Sequence, residues 1–382
     1  MDFDLTREQE MIRKEVRKFA KSEIAPVALE LDEAEAFSVD LTRKMGEIGL
    51  FGMFVSEAYH GQAMDYISYI IAVEEIARVD GSQAATIAAG NSLGIGPLHY
   101  FGNEEQKRKY LPRLCDGEAL WGFGLTEPTA GSDAGGSKTT AVHDGNEWVI
   151  NGSKIFITNA ASDMTLGVTV QAITGTRPNG KPEYTCFIVE RGTKGFKAVP
   201  MKRKMMWRAS NTAELYFDDV RVPAENVLGQ PGDGFHQMLK TLDGGRLSIA
   251  AMGLGGAQGA YDAALKYARH REQFGQPISK FQAVAFKLAD SAMEIECGRN
   301  LLYKACWLRD HKRSFEKEAA MAKLYCSELM GRVANHAVQI HGGYGLMKAY
   351  DVERFYRDQK LLDIGEGTSE VQRIVISRYI GC

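Results

Sequence analysis

The order of periodicities along the chain predicts a multi-domain α+β protein: an N-terminal all-α domain, a central antiparallel β domain and a C-terminal four-helix bundle. Three observations carry this. Apolar residues recur at helical spacing to about residue 120, short β-branched runs divided by turn signals follow to about 232, and from Phe235 the helical period returns and persists. The chain's 382 residues are enough for three such units, with boundaries expected at 1–120, 121–232 and 233–382.

In the first unit, Leu5, Met11, Ile12, Val16 and Phe19 fall on one helical face, and like periods run through Leu41–Leu50, Ile67–Val79 and Glu104–Leu114. The intervening FGMFVSEAYHGQAMD, rich in glycine and aromatics, reads as a loop that helps to wall a site. In the second, strands are expected at Trp148-Val149-Ile150, Lys154 to Thr158, Met164 to Val170, Thr185 to Val189 and Ala213 to Phe217. Turns are expected at Asp144-Gly145-Asn146, Asn151-Gly152 and Pro178-Asn179-Gly180. Pro223 and Gly229 to Gly234 close this unit as a hinge. In the third, long helices over Phe235–His270, Gln282–Asp310 and Phe315–Ile340, with a short last one, imply a bundle.

Composition narrows the function classes. With 45% apolar and 25% charged residues the chain is globular, and a net charge of -3 gives no reason to expect a nucleic-acid partner. The start, MDFDLTREQEMIRKEV, is acidic and runs into amphipathic helix, unlike a signal peptide, so no removed leader is expected. The longest apolar window, Leu247–Leu265, is built from alanine and glycine and holds Gln258 and Asp262, which suits a buried helix and not a membrane span. The six cysteines form no CxxC pair, which predicts reduced thiols in a cytoplasmic protein, and the eight histidines form no metal motif.

Several stretches carry candidate chemistry. Gly253, Gly255 and Gly259 imitate a dinucleotide fingerprint, but the spacing is GxGxxxG and no strand precedes it; among Ala250, Ala251, Ala257 and Ala260 they predict close helix packing. Trp121 to Asp133 combines a strand with glycines, hydroxyls and an acid. It reads either as a strand and polar turn or as a ligand edge, with Thr126 and Ser132 donating to a polar heterocycle and its phosphates and with Phe156 and Thr158 alongside. Arg246, after Gly244-Gly245, and Arg269 and Arg271, near Gln273 and Phe274, suit phosphate and base recognition, though solvated arginines would read alike. Near the C-terminus Glu366 stands between Gly365 and Gly367, ahead of a helix with Ser369 as expected N-cap and Gln372 as its capping-box partner. That places a general base beside backbone donors able to bind an oxygen; an ordinary glycine-rich turn has the same pattern.

Taken together, LTEPTAGSD, KIFITN, WRASNTAELYFDDVRVP, DGGR, REQFGQPISKFQAV, QIHGGYG, VERFYRD and EGTSEVQR resemble the acyl-CoA dehydrogenase family in order and spacing over the whole chain. The resemblance implies the same three domains and usually a homotetramer that binds FAD between subunits. It implies that Phe123, Leu125, Thr126, Ser132, Phe156 and Thr158 cradle the flavin in one subunit. Arg271, Gln273, Phe274, Gln282, Gln339, Gly342 and Gly343 reach a neighbour's FAD, completed by Thr368 and Glu370. Ser132, Asp243, Arg246 and Gly367 resemble acyl-CoA contacts, and Glu366 matches the catalytic base.

In that family the base removes the α-proton of a CoA thioester while the β-hydrogen passes as hydride to flavin N5. The amide of the base and a ribityl hydroxyl bind the thioester oxygen, and an electron-transferring flavoprotein reoxidises the cofactor. Burial of Glu366 should raise its pKa toward that of its substrate. Two positions depart from the family pattern: Gly365 where a tyrosine is common, and Met206 before Trp207-Arg208 where glycine is common. The missing ring predicts room for a branched or cyclic acyl group unless His341 or Met206 refills it. An enoyl-CoA reductase or oxidase on the same scaffold, or a flavin- or CoA-binding protein without catalysis, are the alternatives.

Overall fold

The computed structural model describes residues 4–382, so the first three positions of the expected 1–120 unit lie outside it. Seven α-helices come first: α1 (Arg7–Phe19), α2 (Ala28–Ala34), α3 (Val39–Glu47), α4 (Tyr66–Ala77), α5 (Gly81–Ala89), α6 (Gly96–Phe101) and α7 (Glu104–Cys115). Capping boxes start α1 at Thr6/Gln9 and α7 at Asn103/Gln106. The helix α4 is buried on nearly all sides. Its two acids are therefore paired: Arg17 donates to Glu75 at 2.7 and 2.6 Å, and Arg299 to Glu74 at 2.9 Å.

The sheet holds β1 (Leu120–Gly124), β2 (Thr140–Asp144), β3 (Glu147–Thr158), β4 (Thr165–Thr176), β5 (Pro182–Glu190), β6 (Phe196–Pro200), β7 (Thr212–Pro223) and β8 (Val227–Leu228). Its order is β6-β7-β3-β2-β4-β5-β8. The hairpin pairings are antiparallel as expected, but β1 runs parallel to β4, on the edge that β2 meets further along at Thr140↔Ile173. The sequence suggests a turn at Asn151-Gly152; instead β3 continues through it as a bulge, because β7 pairs with it on both sides, from Glu147↔Pro223 to Thr158↔Thr212. The other two turn signals do end strands, Gly145-Asn146 between β2 and β3 and Pro178–Gly180 between β4 and β5.

Past the sheet come α8 (Gly234–His270), the hairpin of β9 (Glu272–Gln273) and β10 (Gln276–Pro277), α9 (Gln282–Asp310), α10 (Glu316–His341), α11 (Val352–Leu362) and α12 (Ser369–Ile380). The expected short terminal helix is thus two helices, α11 and α12, with the Glu366 loop between them. The glycines of α8 pack as the sequence predicts: an added Cβ would lie 2.5 Å from Cys326 O at Gly253, 2.2 Å from Glu74 O at Gly255 and 2.2 Å from Arg78 O at Gly259. No larger residue admits α4 and α10 so close to α8. As a result one apolar core runs from Val16 to Leu362 through both helical parts, whereas Ile150, Val168, Phe187, Leu215 and their neighbours form a separate core on the sheet. Among the described residues no helix is long and apolar enough to cross a membrane, and no cluster of three potential metal ligands occurs.

Candidate active site

The loop between α11 and α12 is built from its ends inward. Ile364 N and Gly365 N both donate to Leu361 O, at 2.9 and 2.7 Å, and Ser369 N donates to Asp363 O at 2.9 Å. The cap of α12 is Thr368, whose hydroxyl accepts from Val371 N at 3.2 Å, and not Ser369, which is the first helical residue and buried. Gln372 is accordingly no capping-box partner. Its Nε2 reaches back to Glu366 O at 3.2 Å and Gly367 O at 2.9 Å, and Lys323 Nζ donates to the same Gly367 O at 2.8 Å. These bonds hold a left-handed turn with φ 53° at Glu366 and 92° at Gly367. For a residue with a Cβ such backbone costs about 1–3 kcal/mol and persists only where its surroundings over-determine it.

The carboxylate of Glu366 points at α8. A Cβ on Gly245 would lie 1.8 Å from Oε2, so the glycine next to Arg246 is the seat of the acid. That Oε2 is buried and has no hydrogen-bond partner. Burial pushes Glu366 up to about 7, with the Lys323 ammonium and Arg246 guanidinium pulling the other way. Arg246 is buried, pairs with Asp243 and leaves its Nε unpartnered. Burial also raises Asp243, against the pull of Arg246. The 51–65 loop lies as a wall here: the Phe54 ring packs 5.4 Å from Tyr66 and 5.6 Å from Tyr69, and Tyr66 donates to Gly244 O at 3.1 Å. This gathers Asp243, Arg246, Glu366 and Gly367 into one place.

A second group lies at the β3 edge. Ile155 N donates to Thr126 O at 2.9 Å, which sets Thr126 beside the irregular stretch of β3 where Phe156 has φ 62° and is 62% exposed. Phe123 and Leu125 are buried beneath, Thr158 is half-buried and Ser132 is exposed. Behind them stands a buried ion pair that the sequence reading missed: Lys154 Nζ donates to Glu127 Oε1 at 2.8 Å and Leu125 O at 3.2 Å. Glu127 also accepts from Lys138 N at 2.6 Å and Thr139 N at 3.0 Å, tying down the TEPTAGSD loop. An exposed ring on a kinked strand, with two hydroxyls and a fixed loop beside it, fits a flat heterocycle.

The remaining candidates are a surface set. Arg271, Gln273, Gly342 and Gly343 line a groove of about 600 Å³ with Tyr267 and His341, and Glu366 is not among its walls. Phe274 is 94% exposed on the hairpin, while Gln282, Gln339 and Glu370 are exposed on α9, α10 and α12. His341 stacks on Tyr267 at 4.2 Å in this groove. A Cβ on Gly365 would sit in ordinary van der Waals contact with Leu361, whose atoms are the three nearest at 3.4–3.9 Å; neither His341 nor Met206 is among them.

Comparison with known proteins accounts for this arrangement. Residues 6–118 match the N-terminal, 122–220 the middle and 232–381 the C-terminal domain models of acyl-CoA dehydrogenase. The chain is 54% identical over 380 residues to the probable acyl-CoA dehydrogenase YngJ of Bacillus subtilis, with both chains fully covered. It is 46% identical to the short-chain specific acyl-CoA dehydrogenase of Clostridium acetobutylicum, again with full coverage of both. It is 43% identical to subunit CarC of the caffeyl-CoA reductase-Etf complex of Acetobacterium woodii, covering 97% of this chain and 98% of that one. The solved butyryl-CoA dehydrogenase of Megasphaera elsdenii superposes with a TM-score of 0.96 at 42% identity over the whole of both chains. With all three domains matched in order and a relative 54% identical over the full length of both chains, this chain belongs to the acyl-CoA dehydrogenase family.

Proposed function

We propose that Glu366 is the general base of an FAD-dependent α,β-desaturation of an acyl-CoA thioester. The observation that carries this is the sealed, unpartnered Oε2 of a carboxylate held in a left-handed turn against Gly245. A carboxylate in water is too weak a base for an α-proton; burial strengthens Glu366, and its pKa of about 7 leaves it able to accept the proton near neutral pH. The Glu366 and Gly367 carbonyls are taken by Gln372 and Lys323. The Glu366 amide, which donates to no backbone carbonyl among the described residues, is left for the thioester oxygen. FAD, on which the family depends, supplies the two-electron acceptor for the β-hydrogen. Phe156, Thr126 and Thr158 with Phe123, Leu125 and Ser132 would hold it in one subunit. The Arg271–Gly343 groove, with Phe274, Gln282, Gln339, Thr368 and Glu370, would hold it from the next in a homotetramer. Asp243, Arg246, Gly367 and Ser132 would line the CoA path.

Electrons leave to an electron-transferring flavoprotein, a partner supported by the Etf complex named for the relative CarC. That relative also favours a second reading, in which the same base and flavin work in the enoyl-CoA reducing direction. The six free thiols suit a cytoplasmic setting. The glycine at 365, which carries no ring beside the carboxylate, favours a branched or cyclic acyl group, while the short-chain names of relatives favour a slim one. Anaerobic flavin bleaching decides both points. Glu366→Gln should keep the yellow cofactor and lose bleaching by about 10³-fold. In wild type, 2-methylbutanoyl- or cyclohexanecarbonyl-CoA should bleach at least as well as butanoyl-CoA; a clear preference for butanoyl-CoA ends the acyl-group proposal.

A further inference from the structure

Within the buried, alanine-rich stretch of α10, between Ala319, Ala320, Ala322 and Cys326, stands a lysine with no exposed surface at all. A buried ammonium with poor compensation costs several kcal/mol, so its neighbours should explain it. Among the described residues the acceptor of Lys323 is Gly367 O at 2.8 Å, the carbonyl directly after the base. The charges that face it are Glu366, Asp363, Glu328 and Arg246, and those that face Glu366 are Lys323 on α10 and Arg246 on α8, with the Tyr69 phenol from α4. The structural work at Gly367 O is already shared with Gln372, a neutral donor at 2.9 Å. A second neutral donor would suffice to hold the turn; a cation does something further.

We propose that Lys323 is a positioning residue for the base: its buried ammonium holds the Gly367 carbonyl so that residues 366–367 keep their left-handed turn, and, while protonated, sets a positive charge near the Glu366 carboxylate. The inference rests on Glu366 being the base. Two consequences separate it from a merely structural lysine. Deleting the charge while keeping a donor should make the carboxylate harder to ionise without moving the loop. Deleting both should add a loss of alignment. Since burial lowers Lys323 itself to about 8, the pair is charged together over a narrow range between about 7 and 8.

The test is the pH profile of anaerobic flavin bleaching by butanoyl-CoA in the holoenzyme, for Lys323→Gln, Lys323→Met and Lys323→Arg. FAD content and enoyl-CoA binding are read in parallel. In wild type the rate should rise through pH about 7. In Lys323→Gln the midpoint should move up by about one unit, so that at pH 6.5 the reaction is about tenfold slower while it approaches wild type at high pH. Lys323→Met should show the same move and a further loss at every pH, and Lys323→Arg should restore the midpoint. Should the Met variant fail to fold, the Gln and Arg variants still decide. A wild-type midpoint in Lys323→Gln, or an equal loss at all pH values, would overturn the proposal. Glu366→Gln run alongside keeps the two readings apart, because persistent bleaching there removes Glu366 as base whatever Lys323 does.

Discussion

Glu366 combines two unfavourable features, a left-handed backbone and a carboxyl oxygen withdrawn from water without a partner. What makes room for both is the absence of a side chain on α8. Gly245→Ala would put a methyl carbon 1.8 Å from Oε2, so the acid must swing aside. A displacement of about 1 Å between base and substrate costs on the order of 10²-fold. We expect kcat for Gly245→Ala to fall by about that factor with FAD content unchanged; a rate within threefold of wild type would show that the carboxylate is seated elsewhere. The glutamate was legible from the sequence because it stands between two glycines at a helix start and inside the EGTSEVQR motif. Its seat and its counter-charge were not. Gly245 read only as a neighbour of Arg246 in a candidate phosphate or base site, and Lys323 sits 43 positions upstream of Glu366, in a helix where nothing but burial distinguishes it.

At the scale of elements, the misread features share a physical cause: local chemistry admits two answers and tertiary pairing selects one. Thr368 and Ser369 both offer a hydroxyl, and only the extended backbone of Thr368, ψ 165°, makes it the cap. Thr368→Ala should therefore cost about 1 kcal/mol, and Ser369→Ala clearly less, in the thermal unfolding of the holoenzyme. The reverse order would return the cap to Ser369. Asn151-Gly152 carries a hairpin signature, yet β7 is long enough to pair with β3 on both sides of it, and the signature becomes a bulge. The helix α11 escaped notice because Arg354 and Asp358 fall on its buried face between Val352, Phe355 and Leu362, and two buried charges break the apolar period on which such a reading depends. By contrast the long helices and most of the strands, whose patterns run unbroken, were legible throughout.

Those two buried charges belong to a junction that spans the whole molecule. The Trp207 amide, from the loop between β6 and β7, donates to Asp358 Oδ1 at 2.8 Å; Arg357 donates to Asp32 of α2 at 2.8 Å; Arg354 donates to Val79 O at 3.0 Å and faces Asp80, the cap of α5. Thus α11, the helix that ends in the Glu366 loop, is aligned by groups from both other parts of the chain. The arrangement is tight in charge. Asp80 and Asp358 share Arg354, and burial, reinforced by Asp80, pushes Asp358 up to about 7 from an ordinary 3.8. Between those values the folded protein holds a proton that the unfolded chain has released, so stability contributed by Asp358 falls as pH rises through that window and levels off above it. Asp358→Asn keeps an oxygen for the Trp207 amide and cannot ionise. It should therefore raise the thermal midpoint of the holoenzyme at pH 8, by an amount corresponding to about 1 kcal/mol or more, and this gain should shrink steadily as the pH is lowered toward 5. Calorimetry of both proteins across that range checks it. If the variant is instead destabilised by the same amount at every pH, Asp358 is held as an ordinary ion-pair partner of Arg354 and Arg357, and the junction stores no titratable strain.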